Sequence, residues 1–241
     1  MLLIGTICII KNSFIYKMKL INFFFIAYIV VFFPQELKSQ NIQDSISGKK
    51  NFLHEFETFN LDGTINVVIK IPAGGNQKWE VSKIDGTLRW ERRNNSYRVI
   101  KYLPYVSNYG FIPQTLQPEN LGGDGEPVDV VLLGKSYERG SVIKSKILGV
   151  LLMTDEGKID NKIIAIPNDS KIFFHQNLNS IEDLNKNYPG ILEILKIWFQ
   201  NYKRTGQVEI QSYDDSNKAL EIIKASQKPY EILRGYWLEN N

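Results

Sequence analysis

The chain has 241 residues, of which 43% are hydrophobic and 23% are charged, so its composition is that of an ordinary globular protein with one or two domains. Its formal net charge is +3, and residues 1–40 carry all of this excess, with four lysines against one glutamate. The rest of the chain is neutral, which excludes the broad basic surface typical of nucleic-acid-binding proteins.

Residues 1–40 are predicted to be a signal peptide or an N-terminal anchor. The stretch "MKLINFFFIAYIVVFF", which begins at Met18, is a lysine followed by an apolar run, and "PQELKSQN" then offers a cleavage region near Ser39 and Gln40. The run is short for a membrane span, which needs ~20 apolar residues. We therefore expect an exported protein, periplasmic or secreted, with an uncleaved membrane anchor as the alternative. Translation starts either at the first residue or at Met18.

The rest of the chain is predicted to be a polar tether at 41–63 and one domain at 64–241. Short segments rich in Val and Ile, broken by turn residues, predict strands at 65–71, 87–91, 98–102, 128–134, 141–153 and 162–167. Helical signals come late. Ser180 is a candidate N-cap, 190–204 has apolar residues at helical spacing, and 216–227 predicts a third helix. Many short strands favour a closed barrel or a sandwich, so we expect a mainly β domain with two or three helices packed on it.

Two acidic loops stand beside predicted strand ends. Their carboxylates are Asp124, Glu126 and Asp129 in "DGEPVD", and Asp155, Glu156 and Asp160 in "TDEGKID". Acidic loops of this kind are most often simply solvated. If the two loops face each other, however, their oxygens would converge on a site suited to Mg²⁺. Zinc is disfavoured, because His54 and His175 lie far apart in the sequence and the single cysteine, Cys8, lies in the leader.

Cationic and tyrosine side chains recur in the same part of the chain. In "KWE" the period of a strand puts Lys78 and Glu80 on one face. The other candidates are Arg92, Tyr105, Tyr109, Lys162, Tyr202 and Lys203. Each of them has an ordinary structural explanation on its own. Together with the acidic loops they supply what phosphoryl transfer needs, with carboxylates for metals and Lys, Arg and Tyr for phosphate oxygens.

The order of these motifs resembles that of the soluble family I inorganic pyrophosphatases. The resemblance runs from about Val67 to Ala225, through "VVIKIPAG", "KWE", "GTLRWER", "YVSNYGFIPQTL", "DGEPVD", "GVLLMTDEGKIDNKIIAIP" and "NYK". It implies a five-stranded OB-like closed barrel with flanking α-helices, and Mg²⁺-dependent hydrolysis of pyrophosphate to two phosphates. We expect several Mg²⁺ ions per active site, with Mn²⁺ as a substitute, and a homo-oligomer. We expect no nucleic-acid partner, and contact with a membrane only through an uncleaved leader.

The resemblance also implies roles for individual residues. The implied metal ligands are Asp124, Asp129, Asp155 and Asp160, together with Glu80 and Glu156. The implied substrate-binding residues are Lys78, Arg92, Tyr105, Tyr109, Lys162, Tyr202 and Lys203. The implied catalytic residues are Glu126, Tyr109, Lys78 and Arg92. Arg93 or Arg98 is the alternative to Arg92, because the segment between Trp90 and "NYG" is longer here than in the short bacterial enzymes.

Two positions depart from the family pattern. Glu126 stands where the family has the middle aspartate, which helps to activate the attacking water, and its extra methylene adds about 1.5 Å of reach. A misplacement near 1 Å at a reacting centre can cost on the order of 100-fold in rate. Lys70 stands where the family usually has a glutamate, and its charge could substitute for or repel one metal. The alternatives to an active enzyme are therefore a degenerate relative that binds metal and phosphate with little turnover, and a non-enzymatic OB-like interaction module.

Overall fold

The structure is a computed structural model that describes residues 42–169, 178–203 and 206–239. The leader predicted at 1–40 lies outside the described residues. In the part of the chain that is described, no helix combines the length and the apolar character that crossing a membrane requires.

The described elements are mainly strands, with three α-helices in the second half. The strands are β1 (Ser45–Ile46), β2 (Ile65–Ile71), β3 (Trp79–Val81), β4 (Leu88–Trp90), β5 (Arg92–Arg93), β6 (Ser96–Tyr97), β7 (Asn108–Phe111), β8 (Asp129–Leu132), β9 (Val142–Asp155), β10 (Lys158–Ile159), β11 (Lys162–Pro167) and β12 (Val208–Asp215). The helices are α1 (Ile181–Asn187), α2 (Ile191–Asn201) and α3 (Ser216–Glu239), and a 3-10 turn covers Glu119–Leu121. The prediction of a mainly β protein with flanking helices is confirmed.

Five strands close into a ring in the order β2, β7, β8, β11 and β9, because β9 pairs with β2 as well as with β11. The β8–β11 pair is parallel and the other four pairs are antiparallel. Strand β9 has 14 residues and is long enough to pair with β2 near its start and with β12 and β10 near its end. The ring therefore has the five strands that the resemblance implied.

The two faces of the ring strands bury their side chains against different helices. On β8, Val130 and Leu132 pack in the cluster that contains Ile223 of α3. Val131 points the other way and packs in the cluster that contains Trp198 of α2. Successive side chains of a strand alternate between faces, so a strand that is covered on both sides reads as a continuous apolar run. This is why "VDVVLLG" shows no polar alternation.

The helices begin as predicted, but the last one is longer. The Ser180 side chain caps α1 by accepting a hydrogen bond from the Asp183 backbone N–H at 3.1 Å. Helix α3 continues past residue 227 to Glu239, although Pro229 lacks the N–H that a helix interior normally uses. Tyr230 lies just beyond the proline and is buried in the core, which gives this second half of α3 a packing contact.

Several segments differ from the predictions. The strand predicted at 98–102 is wrong, because only Val99 makes an isolated bridge, to Gln77, before the chain bends. Strands β7 and β12 were not predicted. The first is only four residues long and contains Gly110, and the second has a largely polar sequence.

Residues 43–63 pack on the ring, which differs from the predicted tether. Strand β1 pairs with β4, and Phe52 and Leu53 are buried in a cluster with Trp79. His54 Nδ1 lies 2.8 Å from the Tyr230 hydroxyl of α3, and its Nε2 lies 2.9 Å from the Lys83 carbonyl oxygen. The folded unit therefore includes this segment, although its few apolar residues show no strand or helix period.

Candidate active site

A polar cavity of about 380 Å³ opens where several ring strands begin or end. Its described lining is Lys70, Lys78, Glu80, Glu91, Arg93, Arg98, Tyr109, Asp124, Glu126, Asp129, Asp155, Asp160, Lys162, Tyr202 and Lys203. The structure thus brings together all but three of the residues singled out by the resemblance. The three that do not line the cavity are Arg92, Tyr105 and Glu156.

The parallel β8–β11 pair explains why the two acidic loops meet. Asp129 is the first residue of β8, Lys162 is the first residue of β11, and the two are partners in the strand register. The loops that precede these strands therefore arrive at one edge of the ring. One loop brings Asp124 to that edge and the other brings Asp160. Because the loops are more than thirty residues apart, this meeting depends on the fold and not on local sequence.

Three carboxylates form a cluster that fits a divalent cation. Asp124, Asp129 and Asp160 each offer an oxygen, and these oxygens lie within 4.8 Å of one another. Burial raises the pKa of Asp124 to about 7, and repulsion from Asp129 and Asp160 adds to the shift. Lys162, which contacts Asp129 and Asp160, offsets this repulsion only in part. An all-oxygen donor set of this kind suits Mg²⁺ or Mn²⁺.

Two further carboxylate oxygens support the same interpretation. Among the described residues, Glu126 Oε2 and Asp155 Oδ1 are buried and have no hydrogen-bond partner. A buried polar atom without a partner costs about 1–3 kcal/mol, and more when the group is charged. Both side chains line the cavity, so a bound cation or its water shell would satisfy these oxygens.

Asp129 lies at the centre of a network of cations. Its Oδ1 accepts a hydrogen bond from Lys70 Nζ at 2.9 Å, and its Oδ2 accepts from Lys162 Nζ at 2.9 Å and from the Tyr109 hydroxyl at 2.5 Å. Burial alone would raise the pKa of Asp129, but the Lys162 and Lys70 ammonium groups outweigh it and hold that pKa well below its usual value. Asp129 therefore stays ionised, and Lys162, which also contacts Asp160, stays charged.

Three ammonium groups surround the Tyr109 ring. The Nζ atoms of Lys70, Lys78 and Lys162 lie 5.2, 5.1 and 5.5 Å from the ring centroid. Burial, followed by the charge of Asp129, raises the pKa of the Tyr109 hydroxyl, so the hydroxyl keeps its proton and donates a hydrogen bond to Asp129. Tyr109 thus holds Asp129 with its hydroxyl while its ring lies against the three ammonium groups.

Arg93 and Arg98 line the cavity, whereas Arg92 does not. Asn94 and Asn95 have φ of 49° and 60°, as the two central residues of a tight hairpin turn require, and they connect β5 to β6. The hairpin carries Arg92 away from the cavity, so that its guanidinium stacks 4.3 Å from the Tyr97 ring and pairs with Asp44 at 3.2 Å. Directly after the hairpin, Arg98 returns to the cavity.

The exposure of the three arginine side chains differs strongly. It is 55% for Arg92 and 62% for Arg93, but 14% for Arg98, which pairs with Glu91 at 2.6 Å. Arg98 is therefore the more buried of the two arginines on the cavity wall. The hairpin between Trp90 and the "NYG" motif therefore places Arg92, the arginine that the resemblance implied, outside the cavity.

The other two residues outside the cavity have different surroundings. Tyr105 is buried behind the wall, with its ring centroid 5.0 Å from that of Tyr109 and 4.4 Å from that of Trp198. Glu156 is exposed and lies 4.0 Å from Lys203, which is mainly paired with Asp155. Tyr105 therefore supports the site from behind, and Glu156 lies at its rim.

Sequence reasoning missed two residues at this site. Glu91 lines the cavity and holds Arg98, and Lys83 reaches Glu126 from the turn between β3 and β4. The position of Glu91 next to the "LRW" strand was a usable signal. The contact of Lys83 joins residues 43 positions apart, and no local pattern indicates it.

Comparison with known proteins agrees with the geometry. The sequence model of the family described as inorganic pyrophosphatase matches residues 67–231. The chain is 32% identical over 183 residues to the inorganic pyrophosphatase of Campylobacter jejuni, covering 74% of this chain and 99% of that protein. Among solved structures, the inorganic pyrophosphatase of Helicobacter pylori is 32% identical with a TM-score of 0.62, over 74% of this chain and 99% of the other. That of Schistosoma japonicum is 29% identical with a TM-score of 0.70, over 76% and 72%. The chain therefore belongs to the soluble family I inorganic pyrophosphatases, enzymes that hydrolyse diphosphate.

Proposed function

We propose that this chain hydrolyses inorganic pyrophosphate to two phosphates with Mg²⁺ as its metal, and that the reaction takes place in the cavity described above. The observation that carries the proposal is that the carboxylate cluster Asp124, Asp129 and Asp160 lies in one cavity with several Lys and Arg side chains. A cavity of this composition suits a small, highly charged anion that arrives with metal ions, since both signs of charge are already present.

The metal would be held by carboxylates of the cavity. Asp124, Asp129 and Asp160 are the proposed ligands, and the unpaired Oδ1 of Asp155 adds a fourth carboxylate. A bound divalent cation would lower the pKa of a coordinated water and balance the charge of phosphate oxygens. Glu80 and Glu156 are not included, because Glu80 lies outside the Asp124, Asp129 and Asp160 cluster and holds two lysines, and Glu156 is exposed.

The substrate would be held by cationic and tyrosine side chains of the same cavity. Lys78, Arg98 and Lys203 carry charges that can bind the oxygens of both phosphoryl groups, and Tyr202 can donate from its hydroxyl. Burial raises the pKa of Tyr202, so that hydroxyl is protonated at neutral pH. Cations that are fixed before the reaction stabilise the charge that develops on the leaving phosphate without reorganisation.

Glu126 is proposed as the general base. Its Oε2 has no partner among the described residues, and its pKa is raised by burial and then by repulsion from Glu80. A base whose pKa approaches the working pH transfers protons most effectively. The water oxygen forms a bond to one phosphorus as the bridging P–O bond breaks. One proton moves to Glu126, and the displaced phosphate leaves with the bridging oxygen.

The proposal is tested by measuring phosphate release from pyrophosphate by the purified protein. Excess chelator should abolish release, and Mg²⁺ should restore it better than Ca²⁺, because Mg²⁺ suits a compact all-oxygen site. Full activity in excess chelator would refute metal dependence. Binding of Mg²⁺ and phosphate without turnover would favour the degenerate relative instead.

Export and self-association are part of the proposal. The order of charged, apolar and cleavage segments in residues 1–40 supports export with cleavage near Ser39 or Gln40. Mass spectrometry of the mature N-terminus after expression in a bacterium should find this cut, whereas an intact leader in the membrane fraction would favour the anchor.

The homo-oligomer stays a prediction, and light scattering of the purified protein would measure it.

A further inference from the structure

We infer that the Lys70 ammonium group is a built-in cation of this site, which occupies the space between Glu80 and Asp129 and confines divalent cations to the end of the cavity at Asp124 and Asp160. The inference rests on the metal dependence proposed above. It predicts that the protein binds one divalent cation fewer than it would with a carboxylate at position 70.

Lys70 is aimed into the cavity by a β-bulge. In the β2–β7 register Ile69 is opposite Gly110 and Ile71 is opposite Tyr109, so Lys70 is the extra residue of the bulge. Bulges re-aim a side chain in this way and are frequent next to active sites. The Lys70 carbonyl oxygen accepts a hydrogen bond from Arg139 Nε at 2.8 Å, which holds the bulged backbone in place.

The Lys70 ammonium is deeply buried and fully occupied by carboxylates. Its side chain is 1% exposed, and Nζ lies 2.5 Å from Glu80 Oε2 and 2.9 Å from Asp129 Oδ1. Removing a charge from water is expensive unless it is paired, and here two carboxylates provide the pairing. Two carboxylates this close to Nζ favour the charged form of the Lys70 ammonium.

Glu80 holds two lysines and, unlike Asp129, does not belong to the carboxylate cluster. Its Oε2 faces Lys70 and its Oε1 lies 2.6 Å from Lys78 Nζ, so each of its oxygens already has a cation. A divalent cation placed between Glu80 and Asp129 would meet the Lys70 charge at contact distance. Glu80 therefore acts as a positioning residue that holds both lysines, and not as the metal ligand that the family resemblance implied.

The charge balance of the cavity points the same way. Its described lining contains seven carboxylates and six Lys or Arg side chains, which leaves one negative charge in excess when all are ionised. A glutamate at position 70 would make the excess three. A cavity with less excess negative charge needs fewer divalent cations before it can accept an anionic substrate.

The number of bound metal ions is measured by titrating metal-free protein with Mn²⁺ and following the free Mn²⁺ by electron paramagnetic resonance, without substrate. Lys70→Glu should bind one more Mn²⁺ than the parent. Lys144→Glu is the matched control. It makes the same charge change at an exposed residue paired with Asp62, and it should bind as many ions as the parent. Circular dichroism confirms that each variant is folded.

Anomalous diffraction from parent crystals grown with Mn²⁺ decides the question even if Lys70→Glu fails to fold. Manganese should lie at the Asp124 and Asp160 end and not between Glu80 and Asp129. A manganese ion bridging Glu80 and Asp129 in the parent would overturn the inference. An equal, non-zero number of ions in the parent and folded Lys70→Glu would also overturn it, while leaving the proposed metal dependence intact. Absence of Mn²⁺ binding by every variant would overturn both.

Discussion

Lys83 Nζ lies 2.8 Å from Glu126 Oε1 and 2.6 Å from the Gly125 carbonyl oxygen, so the turn between β3 and β4 clamps the loop that carries the proposed general base. The loop is also fixed internally, because the Glu126 N–H donates to Asp124 Oδ1 at 2.9 Å. The glutamate side chain reaches Lys83 with one oxygen and leaves the other without a partner among the described residues. Glu126 has one methylene more than the aspartate of the family pattern, and its longer side chain makes the contact with Lys83.

Glu126→Gln should lower kcat by ~100-fold or more, because general-base catalysis typically supplies about 10²–10⁴-fold. Glu126→Asp should lower kcat at least tenfold, because the shorter side chain withdraws by about 1.5 Å from Lys83 and from the reacting water. Steady-state phosphate release measures both. A Glu126→Gln enzyme as fast as the parent would remove Glu126 from the mechanism, and a faster Glu126→Asp enzyme would show that the loop is not adapted to glutamate.

Lys83→Met should shift the acidic limb of the kcat/KM pH profile to higher pH. The Lys83 charge and hydrogen bond lower the pKa of Glu126 against the raising effects of burial and of Glu80. Without Lys83 the base becomes harder to ionise, so activity is lost at a higher pH as the pH falls. Lys83→Arg keeps the cation and serves as the control, with its limb near that of the parent. An unmoved limb in a folded Lys83→Met protein would mean that Glu126 is not the group that titrates.

Arg98→Met should raise KM for pyrophosphate and lower kcat/KM by about 10–100-fold, because a hydrogen bond to a charged group contributes about 1.5–3 kcal/mol. Arg92→Met is the matched variant and should stay within about threefold of the parent, since Arg92 contacts Tyr97 and Asp44 on the outside. Initial rates across a range of pyrophosphate concentrations measure both. The reverse order of effects would return the substrate role to Arg92.

Metal binding should release close to one proton at pH 6 and almost none at pH 8.5. The pKa of Asp124 is about 7 in the metal-free protein, so this carboxyl is protonated below that pH and must lose its proton to become a ligand. Affinity for Mg²⁺ should accordingly fall about tenfold per pH unit below 7. Because the pKa is raised on folding, this group alone makes the metal-free protein more stable as the pH falls from 7 toward 4. Calorimetric Mg²⁺ titrations in buffers of different ionisation enthalpy count the protons, and equal release at both pH values would contradict the assignment.

Much of the ring could be predicted from local sequence, because its strands are apolar and β-branched and are bounded by turn residues. Strands β2 and β11 have the predicted bounds, 65–71 and 162–167. The segment at 98–102 has a similar composition but stays irregular, since Val99 is exposed and the chain must turn there toward the cavity. Composition alone does not distinguish such a segment from a strand.

The missed features depend on contacts between distant residues. Burial of Phe52 and Leu53 requires the far end of α3, where Tyr230 hydrogen-bonds to His54 across 176 positions. Arg98 lines the cavity and Arg92 does not because of the Asn94–Asn95 turn, whose residue types could have indicated a two-residue hairpin. The Lys83 clamp on Glu126 had no signal in the sequence.

The most direct test is the initial rate of phosphate release from pyrophosphate with saturating Mg²⁺, for the parent, Asp160→Asn and Asp62→Asn. Asp160 belongs to the carboxylate cluster and contacts Lys162, whereas Asp62 is an exposed residue paired with Lys144. We expect the parent and Asp62→Asn to hydrolyse pyrophosphate at rates within about threefold of each other, and Asp160→Asn to be at least about 100-fold slower. A folded parent that releases no phosphate, or an Asp160→Asn protein as fast as the parent, would contradict hydrolysis in this cavity.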